Sequence, residues 1–136
     1  MTFGGLRKNL GATSKEGSYE LLRFCNKLNT SVVGGASKLY KYFERNYSPE
    51  MVISYADKRW SSGNLYFNLG FTHTHNSQPN YFYVINRKRE PRFKYRKDQL
   101  LSWGWGTKEQ TEREIMTNKG YPRIYDSGCM VFKKIY

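Results

Sequence analysis

Cysteine is scarce in this chain: Cys25 and Cys129 are its only two, and no CxxC pair occurs. That excludes a structural zinc site of the usual ligand spacing. Cys25 follows the apolar run Leu21-Leu22-Arg23-Phe24 and reads as a buried thiol. A Cys25–Cys129 disulfide has no support in the sequence. No stretch approaches the roughly 18 apolar residues that a membrane-spanning helix requires. Met1 to Gly11 lacks the apolar segment of a secretory signal, so a cytoplasmic, reducing setting is expected. Acidic residues are also few, 11 against 23 Lys and Arg. They are scattered, and no paired-carboxylate, HNH, GIY-YIG or Ser-His-Asp signature is readable. A Walker loop, GxxxxGK[ST], is absent, as are internal repeats and low-complexity tracts.

Aromatics and positive charge are abundant. The 136 residues include 12 Tyr, 8 Phe and 3 Trp. Aromatic side chains bury large areas, so a small core can still hold a fold, and wholesale disorder is not expected. The formal charge is +12. A surplus this large points to a polyanionic partner. Nucleic acid is the first reading and an anionic membrane surface the second; solubility alone needs less charge.

The length fits a single domain, 1–136. Its expected class is α/β (α+β), with a mixed central sheet, a β-α-β crossover, helices on the sheet faces, and a C-terminal helix and hairpin. Tyr19 to Cys25 reads as a strand. Ala36, Leu39, Tyr40 and Phe43 fall on one helical face. Met51 to Tyr55 is the clearest strand. The intervening helix makes this a crossover with parallel pairing. Ser61 or Ser62 can cap a short helix through Leu69, with Gly70 as its stop. Tyr81 to Ile85 is a strand, and Arg92 to Arg96 can pair with it across a turn at Asn86 to Pro91. Thr107 with Gln110 makes a capping box for a helix to Asn118, ended by Gly120. Arg123 to Tyr125 and Met130 to Ile135 read as a terminal hairpin. The core is expected at 19–85 and the basic ribbon, helix and hairpin at 86–136.

Four segments can carry chemistry. Gly34, Gly35, Ala36, Ser37 and Lys38 open the first helix. Free N–H groups and glycines there suit an anion, although the glycines also suit a tight turn alone. Ser54-Tyr55-Ala56-Asp57-Lys58-Arg59 ends a parallel strand, where open α/β sheets place their sites. Asp57 could act as a base or orient Arg59, or form only a local ion pair. The run Arg87, Lys88, Arg89, Glu90, Pro91, Arg92, Phe93, Lys94, Tyr95, Arg96, Lys97 has seven basic residues in eleven. As a strand it would show aromatics on one face and cations on the other. Cations neutralise phosphates and aromatics stack on bases, while a solvated basic edge strand is the plainer alternative. His73 and His75 would share a strand face, but no third metal ligand follows at a recognisable spacing. Trp103 and Trp105 could stack on bases or cap the core.

The residues from Tyr19 to Phe71 resemble the second half of a GNAT (acetyltransferase-type) fold. The resemblance rests on Leu22-Arg23-Phe24, Gly34-Gly35-Ala36-Ser37-Lys38-Leu39, Val52 to Tyr55, and Asn64-Leu65-Tyr66-Phe67-Asn68-Leu69-Gly70-Phe71. Ser54-Tyr55-Ala56-Asp57 is closer to the Mom-type phage proteins that modify adenine in DNA. The block continuing through Pro79-Asn80-Tyr81 and Gly120-Tyr121-Pro122-Arg123-Ile124 is similar to a domain of bacteriophage Hef-like and homing endonucleases. The resemblance implies a partial GNAT-like fold and a nucleic-acid-binding module, with DNA contacted by Lys58, Arg59 and the 87–97 ribbon. The alternative it implies is a transferase using acetyl-CoA or another nucleotide at Gly34 to Lys38, with Tyr55, Asp57 or Tyr66 near the reacting group. A phage inhibitor facing an acidic host protein is a third expectation. The pattern departs from the GNAT loop at Ser31, where Gln or Arg is usual. Only about 18 residues precede the Tyr19 strand, fewer than the family's first strand and two helices occupy.

Overall fold

The computed structural model describes residues 1–7 and 15–136. Residues 8–14, Gly11 among them, lie outside the described residues. Within them the chain is a mixed α+β protein that forms two compact units. The first comprises Met1–Gln78 and Gly128–Tyr136; the second, Pro79–Ser127, is inserted in the chain between two strands of the first.

The first unit is a five-stranded sheet. Its strands are β1 (Thr2–Gly5), β2 (Ser18–Arg23), β3 (Met51–Asp57), β4 (Thr72–Asn76) and, from the chain's end, β8 (Cys129–Ile135). Their spatial order is β1-β2-β3-β8-β4. Helix α1 (Gly35–Tyr47) links β2 to β3, which pair in parallel as a crossover demands. β3 alternates half-buried and buried residues along its length, and β8 pairs antiparallel with all of it, Met51 opposite Ile135 through Asp57 opposite Cys129. The helix covers the face carrying Val52 and Ala56. Its buried stripe is Ala36, Tyr40 and Phe43; Leu39 is 47% exposed and does not belong to it. Phe43 stacks on Phe3 of β1 at 3.6 Å between centroids. Burying a ring of this size contributes about 1.5–3 kcal/mol.

Helix α2 (Asn64–Asn68) is shorter than its sequence pattern suggests. Gly63 stands at its N-terminus with φ 84°, and Ser61 Oγ accepts the Gly63 N–H. Gly70, φ 79°, ends the segment as expected. Cys25 lies beyond β2 and is an exposed free thiol, not a buried one. The reason is that β2 pairs with β3 only from Ser18 to Glu20 and ends at Arg23, with Leu22 already half exposed.

The second unit is a three-stranded antiparallel sheet ordered β6-β5-β7, with β5 (Tyr81–Ile85), β6 (Lys88–Pro91) and β7 (Arg123–Tyr125). Helices α3 (Lys97–Ser102) and α4 (Glu112–Asn118) pack on it, and Tyr83, Leu100, Ile115 and Met116 form its buried core. The expected terminal hairpin does not form: β7 pairs with β5, whereas β8 pairs with β3 and β4 in the other sheet. The capping box also moves. Gln110 Oε1 accepts the Thr107 N–H, but the helix begins later, where Thr111 and Glu114 cap each other reciprocally. Gly120, φ 78°, follows its end.

Candidate nucleic-acid interface

The basic ribbon is not one strand. Ile85 is opposite Lys88, so β5 and β6 are joined by the two-residue turn Asn86-Arg87. Both turn residues are left-handed, with φ 49° and 62°. Such turns match the twist of paired strands but favour glycine at the second position; Arg87 stands there instead, and the turn is narrower than the expected Asn86 to Pro91. Pro91 ends β6, and Arg92–Tyr95 then form a single 3-10 turn. The expected alternation of Phe93 and Tyr95 against Lys94 and Arg96 across a strand is thereby overturned. A 3-10 turn repeats every three residues, so Tyr95 turns into the core while Phe93 remains 63% exposed.

What the ribbon retains is available positive charge. Arg87, Lys88, Arg89, Arg92, Lys94 and Arg96 are exposed and Lys97 half-buried. Only Lys94 is paired to a carboxylate among the described residues, with Nζ 2.8 Å from Glu90 Oε2. Glu90 raises the Lys94 pKa, so that cation stays charged but already has a partner. Lys97 donates to the Lys108 carbonyl at 2.6 Å. Two arginines are steadied by rings: Arg89 lies 4.3 Å from the Phe82 centroid and Arg92 4.7 Å from that of Tyr81.

Aromatic rings support this surface from beneath. Tyr125, Tyr81, Tyr83, Tyr95, Trp103, Trp105 and Tyr121 contact one another in sequence, with centroid spacings of 5.1–6.0 Å. Two of their hydroxyls meet at Glu112. Tyr81 and Tyr83 both donate to its Oε1, at 2.8 and 2.6 Å, and Arg123 lies 3.5 Å from the same oxygen. Burial, reinforced by Glu112, raises the pKa of both tyrosines, so they remain neutral donors. Arg123 also donates to Tyr83 Oη and sits 4.0 Å from the Tyr81 centroid. Neither Glu112 nor Arg123 stood out in the sequence, because residues 83, 112 and 123 meet only through folding.

The first unit divides the other candidates. Ser54 Oγ donates to the Leu21 carbonyl at 2.7 Å and accepts from the Tyr66 hydroxyl at 3.1 Å, and Tyr66 stacks on Phe132. These groups lie on the α1-covered face. Tyr55, adjacent to Ser54 in β3, projects to the opposite face by strand alternation. The Tyr55 ring lies 5.4 Å from the Arg7 guanidinium, which grips the buried Glu20 carboxylate. Burial, and then the Glu20 charge, raise the Tyr55 pKa. Asp57 accepts from Arg59 through Nε, Nη2 and the backbone N–H, an exposed local ion pair between near neighbours. Tyr55 and Asp57 are therefore not brought together with Tyr66. Lys58 is exposed.

Gly34, φ 70°, precedes α1, and no side chain caps the helix; Ser37 and Lys38 are exposed beside it. His73 and His75 lie on the wholly exposed β4, where a bulge between them interrupts the shared-face register. No group of three His, Cys, Asp or Glu among the described residues is arranged to hold a metal. No helix among them is long and apolar enough to cross a membrane.

Compared with protein-family models and with curated proteins, the chain matches none.

Proposed function

We propose that this chain binds nucleic acid through its second unit, with DNA as the leading ligand. Arg87, Lys88, Arg89, Arg92, Arg96 and Lys97 contact phosphates, and exposed Phe93 provides a ring for bases. One observation carries the reading: six of the seven cations between 87 and 97 form no ion pair with a carboxylate among the described residues, and of these only Lys97 is seen to act on nearby carboxylates, Glu109 and Glu114. A cation already held by the protein's own acid gains little from a phosphate; an unpaired one releases counterions on contact. The test is a salt titration of binding to duplex and single-stranded DNA, with and without Mg²⁺, monitored for cleavage. The logarithm of affinity should fall linearly with the logarithm of salt. Binding that is absent or indifferent to salt overturns the proposal.

A second reading is a transferase of the GNAT or Mom type, using acetyl-CoA or another nucleotide at Gly34 to Lys38. The uncapped start of α1 favours it, since a Cβ at Gly34 would meet nothing within 4 Å. The separation of Tyr55 and Asp57 from Tyr66 weighs against it. Calorimetry with acetyl-CoA decides: no heat at millimolar ligand removes the reading.

A further inference from the structure

The second unit contains a cleft that the ribbon does not use. Its volume is about 510 Å³, and its walls include Arg113, Thr117, Tyr121, Pro122, Arg123 and Tyr125. That volume suits a small organic ligand. We propose that this cleft holds one unpaired nucleotide of a single strand, with its base against Tyr125 or Tyr121 and its phosphate on Arg113. The proposal rests on the nucleic-acid reading above and adds a preference for unpaired bases.

The chemistry of the walls is specific. Arg113 is exposed and has no carboxylate partner among the described residues. Arg123 is preset by the Tyr81 ring and the Tyr83 hydroxyl, so little side-chain freedom remains to be lost on binding. Its acidic neighbour, Glu112, already accepts from two tyrosines and Arg123. Arg123 is therefore committed to Glu112 and shapes the wall, which leaves Arg113 as the cation for a phosphate. Tyr125 is 61% exposed although its ring touches Tyr81 at 5.8 Å. Tyr121 is steadied by Trp105, 6.0 Å away. An exposed tyrosine backed by packed rings is a stacking platform that costs little to order. Thr117 supplies a hydroxyl that can donate or accept. A base inside a duplex has both faces covered by its neighbours, so only an unpaired base can use such a platform.

The experiment compares the full chain with Tyr125→Ala, Tyr125→Phe, Arg113→Gln and the ribbon variant Arg87→Gly. Each is titrated with a fluorescent single strand, the matching duplex, and a nucleoside monophosphate, with circular dichroism as the check on folding. Tyr125→Ala should weaken single-strand binding about five- to hundredfold and leave duplex binding unchanged. Tyr125→Phe should retain it, and Arg113→Gln should weaken both the strand and the monophosphate. If Tyr125→Ala and Arg113→Gln bind single strands like the parent while Arg87→Gly still weakens duplex binding, the cleft proposal is overturned and the nucleic-acid reading stands. If the parent binds neither strand nor duplex, both fall. Binding of the monophosphate without any single-strand preference identifies a small-molecule site and also overturns the proposal.

Discussion

Replacing Arg87 by glycine separates binding from stability, because the two should move in opposite directions. Arg87 has φ 62°, a conformation that costs an L-residue about 1–2 kcal/mol. Glycine removes that cost but returns about 0.4–1 kcal/mol through the freedom of the unfolded chain. The net expectation is a gain of about 0.8 kcal/mol, within a span of roughly 0–1.6, read as a higher urea midpoint. Binding should weaken at the same time. One lost phosphate contact lowers the slope of log affinity against log salt by about 0.9 on duplex and about 0.7 on single strands. Over a roughly fourfold rise in salt, that contact accounts for a factor of about 3.5 on duplex. Lys94→Gln is the internal control. Its ammonium is already 2.8 Å from Glu90, so its slope should change less than that of Arg87→Gly. The assay is fluorescence anisotropy across a salt series, paired with urea unfolding of the same samples. A more stable Arg87→Gly protein with an unaltered slope refutes phosphate contact at the hairpin tip. A Lys94→Gln effect as large as that of Arg87→Gly refutes the argument from ion pairing.

Four further outcomes follow from packing and charge. Tyr83→Phe removes a hydroxyl that donates to Glu112 and accepts from Arg123 in a fully buried setting. It should cost about 1–3 kcal/mol in urea unfolding. Gly63→Ala should cost about 2–4 kcal/mol, since φ is 84° and a Cβ would lie 2.6 Å from Phe132 Cζ. Gly34→Ala, at φ 70° with open space around it, should cost only the conformational part, about 1–2 kcal/mol. Glu44 is the acid-sensitive group: burial alone would raise its pKa, but Lys134 and the Tyr136 hydroxyl hold it below its ordinary 4.5. A lowered carboxylate pKa contributes stability above that ordinary value and loses it as pH falls through the shifted one. Glu44→Gln should therefore be less stable than the parent at neutral pH, with the difference narrowing as urea midpoints are followed below pH 4.5.

The crossover was legible because each of its parts agreed. Met51 to Tyr55 is β-branched and apolar, the helix repeats its aromatics at helical spacing, and the joining segments carry the usual stops. Gly70 and Gly120 marked real ends for the same reason: each has a positive φ. The pairing of the last strand was not legible. Cys129–Ile135 follows a short strand and a glycine, which is the pattern of a hairpin, yet it pairs across its whole length with β3. Nothing local distinguishes the two, since a seven-residue strand satisfies its backbone equally well against any neighbour of matching pattern. The choice is made by Phe132, which is fully buried and stacks 4.6 Å from Tyr66, sixty-six positions earlier in the sequence.

The candidate interface was legible in charge but not in geometry. The run 87–97 declared its cations, and its aromatic alternation imitated a strand. The structure breaks that imitation at Pro91, because a proline cannot extend the hydrogen-bond ladder and the next four residues close a 3-10 turn. The consequence is favourable for phosphate contact. A single strand would have put all its cations on one line, half of them bound to the spacing of one face. A two-residue hairpin tip followed by a tight turn instead places Arg87, Arg89, Arg92 and Arg96 on a turn, a strand, a 3-10 turn and the start of α3, with rings against Arg89 and Arg92. Net charge counts every cation equally. Function depends on those that the chain's own acids leave available, and Lys94 beside Glu90, Arg59 beside Asp57 and Lys134 beside Glu44 are not among them. The hairpin tip has no acidic residue within its turn, and a phosphate backbone would meet its least neutralised charge there.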